Sequence, residues 1–240
     1  MKRLQLLLLF SLACFLLIPI NVAHAKGTQV LVPDTVKDTH SKYTAKYKSG
    51  IGHTCTAILI SSTAAITAKH CGWTQHQSPA GTIYPGASGV STPFGYMNIS
   101  TYTPHPNPKY DIAIIKGTER DQDRFYKYYI KKFTTTVRGY TDDELSGFVG
   151  DEVYSYGYPN KKPAPIKVQC RSDGNIYKHR TTPRPYLLTD MPAYDGQSGS
   201  GVFKKDGSFI GIIITRTKDN KANTLPFTED IANWINKNAK

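Results

Sequence analysis

Several things are scarce or missing in this chain, and each absence narrows what it can be. Beyond the first twenty residues there is no long apolar run, so no further segment reads as a membrane-spanning helix. No His-Glu-x-x-His occurs, which removes the common helical zinc-site signature. Helical periodicity is rare, and no internal repeat or low-complexity stretch stands out. Acidic residues number 18 against 30 Lys and Arg, giving a formal charge of +12. No basic segment with interleaved aromatics accompanies that excess, so nucleic acid is not an expected partner. None of the seven histidines (His24, His40, His53, His70, His76, His105 and His179) follows residue 179.

What is present begins with a leader. Met1-Lys2-Arg3 is cationic, Leu6 to Ile20 is apolar, and Ala23-His24-Ala25 is a small-x-small cleavage site. Residues 1–25 therefore read as a secretory signal peptide, and the expected location is extracellular. The apolar run is short for a membrane anchor, and Pro19 sits near its end. Cys14 lies within the run, with Phe15-Leu16-Leu17-Ile18 still to come, which argues against lipid attachment there. Loss of Lys2 and Arg3 lowers the charge by two. The remaining excess is scattered, with groups at Lys127/Lys131/Lys132, Lys161/Lys162 and Lys204/Lys205. It reads as a solvated basic surface, with weak association to an anionic cell surface as the sharper alternative. Cys55, Cys71 and Cys170 survive processing. Export permits a disulfide, and a Cys55–Cys71 bridge would close a loop of about 15 residues, worth about 3 kcal/mol.

Short β-rich runs and turns dominate the rest. Thr54 to Ile60 and Ala64 to Ala68 read as buried strands around a Ser61-Ser62-Thr63 turn. Asp111 to Lys116, Asp151 to Tyr156, Ile166 to Cys170 and Tyr186 to Thr189 share that style. Asp173-Gly174 and Asp206-Gly207 read as hairpin turns, the second joining Gly201-Val202-Phe203 to Phe209 through Ile214. Phe227, Ile231, Trp234 and Ile235 recur at helical spacing and predict a terminal helix; a short helix is also expected within Gln122 to Lys132. The class is all-β with a C-terminal helix, as two barrels joined across about residues 120–145.

Three short islands carry chemistry: Thr67-Ala68-Lys69-His70-Cys71, Asp111-Ile112-Ala113-Ile114-Ile115 and Gly196-Gln197-Ser198-Gly199-Ser200. A serine hydroxyl is a weak nucleophile and needs an imidazole to take its proton. The imidazole in turn needs a carboxylate to fix its tautomer. Singly, each island has a bland explanation: a glycine turn, a polar strand end, a strand-leading aspartate. An acid opening the run Ile112 to Ile115, however, would lie against apolar surface and needs a partner, which His70 supplies. Gly196 permits the tight turn that lets its N–H and that of Ser198 point into one oxyanion hole. An α/β-hydrolase elbow is excluded, because Ser200 occupies the position of its later glycine and no histidine follows Ser198. Cys170 is rejected as a nucleophile, having only His179 downstream. The other histidines read as surface or loop residues.

With these residues in place, the chain resembles the trypsin-like serine peptidases, in the bacterial branch of glutamyl endopeptidases and exfoliative toxins. The order His70, Asp111, Ser198 is that of the chymotrypsin-like fold. Val30-Leu31-Val32-Pro33 resembles the branch's mature start, Lys69-His70 its catalytic-histidine motif, Tyr156-Gly157-Tyr158-Pro159 with Lys162-Pro163 its Gly-Tyr-Pro loop, and Gly196 to Phe203 its nucleophile strand. The resemblance implies two six-stranded antiparallel β-barrels over about residues 30–125 and 145–225, a terminal helix over about 227–238, and the triad in the cleft between barrels. It also implies a Cys55–Cys71 disulfide beside His70, and, from the Val30 likeness alone, a short propeptide over residues 26–29.

Glutamyl specificity in that branch uses a histidine fifteen residues after the nucleophile and a threonine five before it. Here those positions hold Ile213 and Ala193. A pocket of Ala193, Ile213, Ile214 and Thr215 has no group to neutralise a glutamate, so a preference other than Glu is expected. The floor position near Pro192 offers no acid; Asp190 and Asp195 stand as rim acids that could favour basic substrates, with an apolar or narrow preference as an equal alternative. The reading is a monomeric serine endopeptidase acting on protein or peptide substrates, with no metal or organic cofactor. The alternative is a toxin-like or binding protein that keeps the fold with latent or very narrow activity.

Overall fold

The computed structural model describes residues 27–72, 79–160 and 168–240. The leader, Lys26, His76, Lys161, Lys162, Pro163 and the start of the strand expected at Ile166 lie outside these residues. Among the described residues, fourteen strands form two antiparallel sheets. The first sheet holds β2 (Thr44–Ser49), β3 (Thr54–Leu59), β4 (Ala64–Thr67), β5 (Gly81–Pro85), β6 (Met97–Ile99), β7 (Thr101–Pro104) and β8 (Ala113–Lys116). Its order is β6-β5-β2-β3-β4-β8-β7. Only Ser100 separates β6 from β7, so they are one bent strand whose halves pair β5 and β8 and close a ring of six.

The second sheet contains β1 (Thr28–Leu31), β9 (Glu152–Gly157), β10 (Cys170–Arg180), β11 (Tyr186–Pro192), β12 (Gly201–Lys204), β13 (Phe209–Arg216) and β14 (Lys221–Pro226). Because β9 pairs with both β10 and β12, the six later strands also close into a ring. β1 adds to β10 alone, from the register Thr28↔Asp173 to Leu31↔Cys170. The expected double barrel is therefore observed. Residues 28–31, which open the N-terminal half, are hydrogen-bonded to the C-terminal barrel.

Strand assignment follows burial. β4 is buried at every position, and Ala113, Ile114 and Ile115 of β8 are fully buried, as expected of short apolar runs sealed on both faces. Asp206-Gly207 turns the chain between β12 and β13 as expected. Asp173-Gly174 does not turn: it lies inside β10, with β9 and β1 pairing on its two edges. Gly174 instead allows close approach of β11, since a Cβ there would meet the Met191 backbone at 2.7 Å. Asn175 N–H donates to Asp190 Oδ1 across the same gap at 2.6 Å.

Among the described residues, three α-helices complete the fold. α1 (Arg124–Ile130) falls within the expected window and is capped by Asp123, which accepts from Tyr126 N–H. α2 (Asp142–Gly147) was not expected; Thr141 and Glu144 form a capping box at its start. α3 (Glu229–Asn238) is the terminal helix. Its Ile231 and Ile235 are fully buried in a core shared with Ile112 and Ile115 of the first barrel. Tyr110 donates to Asp230 at 2.8 Å, and Asn236 accepts from Val137 N–H at 2.9 Å. The helix that ends the second half thus straps the first, and each buried isoleucine contributes about 1.5–3 kcal/mol. His105, expected at the surface, is buried: Asn107 N–H donates to its Nδ1, and its ring packs on Tyr110 and Trp234.

Candidate active site

His70 sits in a single 3₁₀ turn, Lys69–Cys71, directly after β4. Two anchors hold that turn. A Cys55–Cys71 disulfide ties it to the start of β3, and the Tyr102 hydroxyl, fully buried on β7, donates to the Lys69 carbonyl. Asp111 precedes β8. Its Oδ1 accepts the His70 backbone N–H at 2.9 Å and its Oδ2 accepts from Nδ1 at 2.7 Å. With Nδ1 as donor, Nε2 is left as an acceptor and faces the Ser198 hydroxyl at 2.8 Å. The three residues named from sequence are therefore in one hydrogen-bonded line.

The carboxylate is the enclosed member, with 17% of its side chain exposed against 48% for His70. Burial pushes the Asp111 carboxyl up. The hydrogen bonds and charge of His70, with the Lys69 ammonium, outweigh that and hold it below the ordinary carboxylate value. Lys69 itself is pulled down by burial and anchored on the carbonyls of His105 and Asn107 at 3.3 and 3.2 Å.

Ser198 stands in a turn that requires glycine on both sides. Gly196 has φ +94° and Gly199 φ +89°, and a Cβ on either would collide with backbone, at the Tyr158 and Thr56 carbonyls respectively. The Asp195 carbonyl is held by Asn160 N–H at 2.6 Å, which sets the plane of the Asp195–Gly196 peptide. Among the described residues, no backbone acceptor takes the N–H of Gly196 or of Ser198.

A cleft of about 330 Å³ adjoins the triad, lined by His70, Asp111, Ser198, Ala193 to Asp195 and Ile213 to Arg216. The pocket residues expected from sequence, Ala193, Ile213, Ile214 and Thr215, are all among them. Asp195 is not a free rim acid: Arg216 Nε donates to it at 3.2 Å and Nη2 at 3.4 Å, while Nη1 donates to Asn220 at 2.9 Å. Asp190 is turned away to Asn175 N–H and does not line the cleft. The rim acids thus offer basic substrates less than expected.

Sequence inspection missed the second layer. Thr56 of β3 donates through Oγ1 to the Gly196 carbonyl at 2.8 Å, and its N–H donates to the Ser198 carbonyl at 2.9 Å. Its Oγ1 accepts Tyr158 N–H at 3.1 Å, which gives the Gly-Tyr-Pro loop a role. Only the neighbouring Cys55 pointed toward this position. The sulfurs of Cys55 and Cys71 lie close to His70, but their disulfide leaves no thiolate to bind a metal. Cys170 is buried and not disulfide-bonded.

Known proteins agree with this architecture. The family of trypsin-like peptidase domains matches residues 55–212, a span containing His70, Asp111 and Ser198. A glutamyl endopeptidase of Bacillus licheniformis is 32% identical over 168 residues, covering 67% of this chain and 48% of that protein. An extracellular metalloprotease of Bacillus subtilis is 26% identical over 160 residues, covering 62% of this chain and 46% of its own. The chain thus spans about half the length of these curated relatives. Among solved structures, a Glu endopeptidase in complex with MPD superposes with TM-score 0.70 at 19% identity, over 87% of this chain and 95% of the other. Protease Anisep from Arthrobacter nicotinovorans gives 0.63 at 17% identity, over 84% and 97%.

Proposed function

The chain belongs to the trypsin-like peptidase domain family, and we propose that it is a secreted serine endopeptidase working through His70, Asp111 and Ser198. Ser198 Oγ attacks the peptide carbonyl as His70 Nε2 takes its proton. His70 then gives that proton to the leaving amine, leaving an acyl group on Ser198 that water removes by the same relay. Asp111 holds the Nδ1–H tautomer and stabilises the imidazolium. The Gly196 and Ser198 amides stabilise the oxyanion. The observation that carries this reading is the continuous line from Asp111 Oδ2 through His70 to Ser198 Oγ, at 2.7 and 2.8 Å.

Glu is not the preferred residue at the cleaved bond. Arg216 is the one permanent cation lining the cleft among the described residues, and Asp195 and Asn220 occupy it. A substrate carboxylate would therefore meet Asp195 as well as Arg216, over a floor of Ala193 and Ile213. The leader directs export, the protein works as a monomer, and its basic surface gives weak, salt-sensitive retention on anionic cell-wall polymers.

Secreted protein assayed on a library of internally quenched peptides should cleave a subset of them, with Ser198→Ala lowering turnover by about 10⁶. A Ser198→Ala variant with most of the wild-type rate contradicts the mechanism. A wild type that cleaves nothing while still binding a protein partner favours the toxin-like alternative.

A further inference from the structure

Gln29 is the inward-facing residue of β1, followed by Val30 and Leu31, which are 56% and 62% exposed. Its Nε2 donates to Ser172 Oγ at 2.9 Å and to Gln197 Oε1 at 3.1 Å, with a longer contact to the Pro192 carbonyl at 3.4 Å. Gln197 immediately precedes Ser198 and is completely buried. It organises the whole nucleophile turn. Its Oε1 also accepts Tyr194 N–H at 2.9 Å, its own N–H donates to the Tyr194 carbonyl at 3.1 Å, and its carbonyl accepts Ser200 N–H at 3.0 Å. Its Nε2 reaches Ser172 Oγ at 3.4 Å.

Taking the peptidase reading above as its basis, we infer that Gln29 is a positioning residue for Ser198, acting through Gln197 from a strand that residues before Val30 provide. A buried amide oxygen with one donor removed is under-satisfied, and the side chain would re-orient to recover it. The Tyr194–Ser198 turn would move with it, and with that turn the two oxyanion amides. Displacement of about 1 Å at a reacting group costs on the order of 10² in rate. The contact joins two neutral amides, so it requires no ammonium freed by proteolysis, and cleavage before Val30 would delete its donor. The active enzyme therefore keeps Gln29, and the Thr28–Gln29 part of β1 belongs to the working structure and not to a propeptide.

The test uses the secreted full chain with Gln29→Ala and Gln29→Glu, assayed on one cleaved peptide from the library. Glu keeps the shape of Gln but removes both N–H donors, so a packing role alone would leave it at wild-type rates. The expected result is kcat lower by about 10- to 100-fold in both variants, with KM within about twofold and unchanged thermal unfolding in Gln29→Glu. Equal kcat in Gln29→Glu and wild type overturns the inference, even if Gln29→Ala fails to fold. N-terminal sequencing of the active wild type should find Gln29 retained; a fully active form beginning at Val30 overturns it too. A wild type that cleaves no peptide contradicts the peptidase reading and takes this inference with it. Cleavage by the wild type with unaffected Gln29 variants removes the inference alone.

Discussion

The hydroxyl of Thr56, on the first barrel, donates to the carbonyl of Gly196, on the second, at 2.8 Å across 140 residues of sequence. The same residue's N–H holds the Ser198 carbonyl. One threonine therefore fixes the Gly196–Ser198 turn from the barrel that carries His70, and the cleft is set by hydrogen bonds between barrels as well as by packing.

Thr56→Val should separate those contributions. It removes the donor to Gly196 and the acceptor for Tyr158 N–H while keeping the shape and the backbone bond to Ser198. Stability should fall by about 1–3 kcal/mol, because two buried groups lose their partner. Turnover should fall by up to about 10² through misplacement of the oxyanion amides, which kcat measured beside a denaturant midpoint will show. Unchanged kcat would mean that the backbone bond alone suffices.

Asp111→Asn should lower turnover by about 10⁴, by analogy with other triads, and should also change how stability depends on pH. Burial raises the Asp111 carboxyl, but His70 and Lys69 lower it by more, so it ionises below its ordinary value of 3.8 in the folded protein. A depressed folded value means the ionised group stabilises the fold above the unfolded value, near 4. That contribution is lost as pH falls through the folded one. Denaturant midpoints at pH 7, 5 and 3 should show the gap between wild type and variant closing toward pH 3. A gap that widens on acidification contradicts the assigned interactions.

The Cys55–Cys71 bridge should matter to both stability and catalysis, because its half-cystines adjoin Thr56 and His70. Replacing both with Ser should cost about 3 kcal/mol in the chain-entropy picture, or about 6–12 °C in melting temperature for a domain of this size. Differential scanning calorimetry of the double variant checks the shift. An unchanged melting temperature would mean that the loop is held by Tyr102 and Asp111 alone.

That His70, Asp111 and Ser198 come together in one hydrogen-bonded line was legible in the sequence, because the proposed chemistry needs those particular side chains, and their order along the chain argued against the α/β-hydrolase arrangement. The apolar strands at Ala64 and Ala113 and the terminal helix were legible from burial patterns confined to a few residues. Thr56, Gln29 and the Asp195–Arg216 pair were not. Their functions are contacts between residues 140, 168 and 21 positions apart, and nothing in their local sequence distinguishes them. Asp173-Gly174 misled for a related reason. The dipeptide favours a turn, but strand pairing on both edges of β10 overrides that preference.

The proposed specificity rests on the Asp195–Arg216 pair. Cleavage-site profiling should show no enrichment of Glu at the bond cleaved. Asp195→Asn should then raise acceptance of acidic side chains about tenfold by freeing Arg216 of its carboxylate. Strong Glu selection by the wild type would mean that a substrate carboxylate displaces Asp195, and the account of the pocket would have to be reversed.

On the proposed mechanism, Ser198 is a nucleophile activated by His70. Intact-mass and peptide-mapping spectrometry after treatment with a fluorophosphonate checks this. One adduct is expected, on Ser198, with labelling slowed by several orders of magnitude in His70→Ala. Correctly processed, folded wild-type protein that takes up no adduct, or takes it up on another residue, would contradict it.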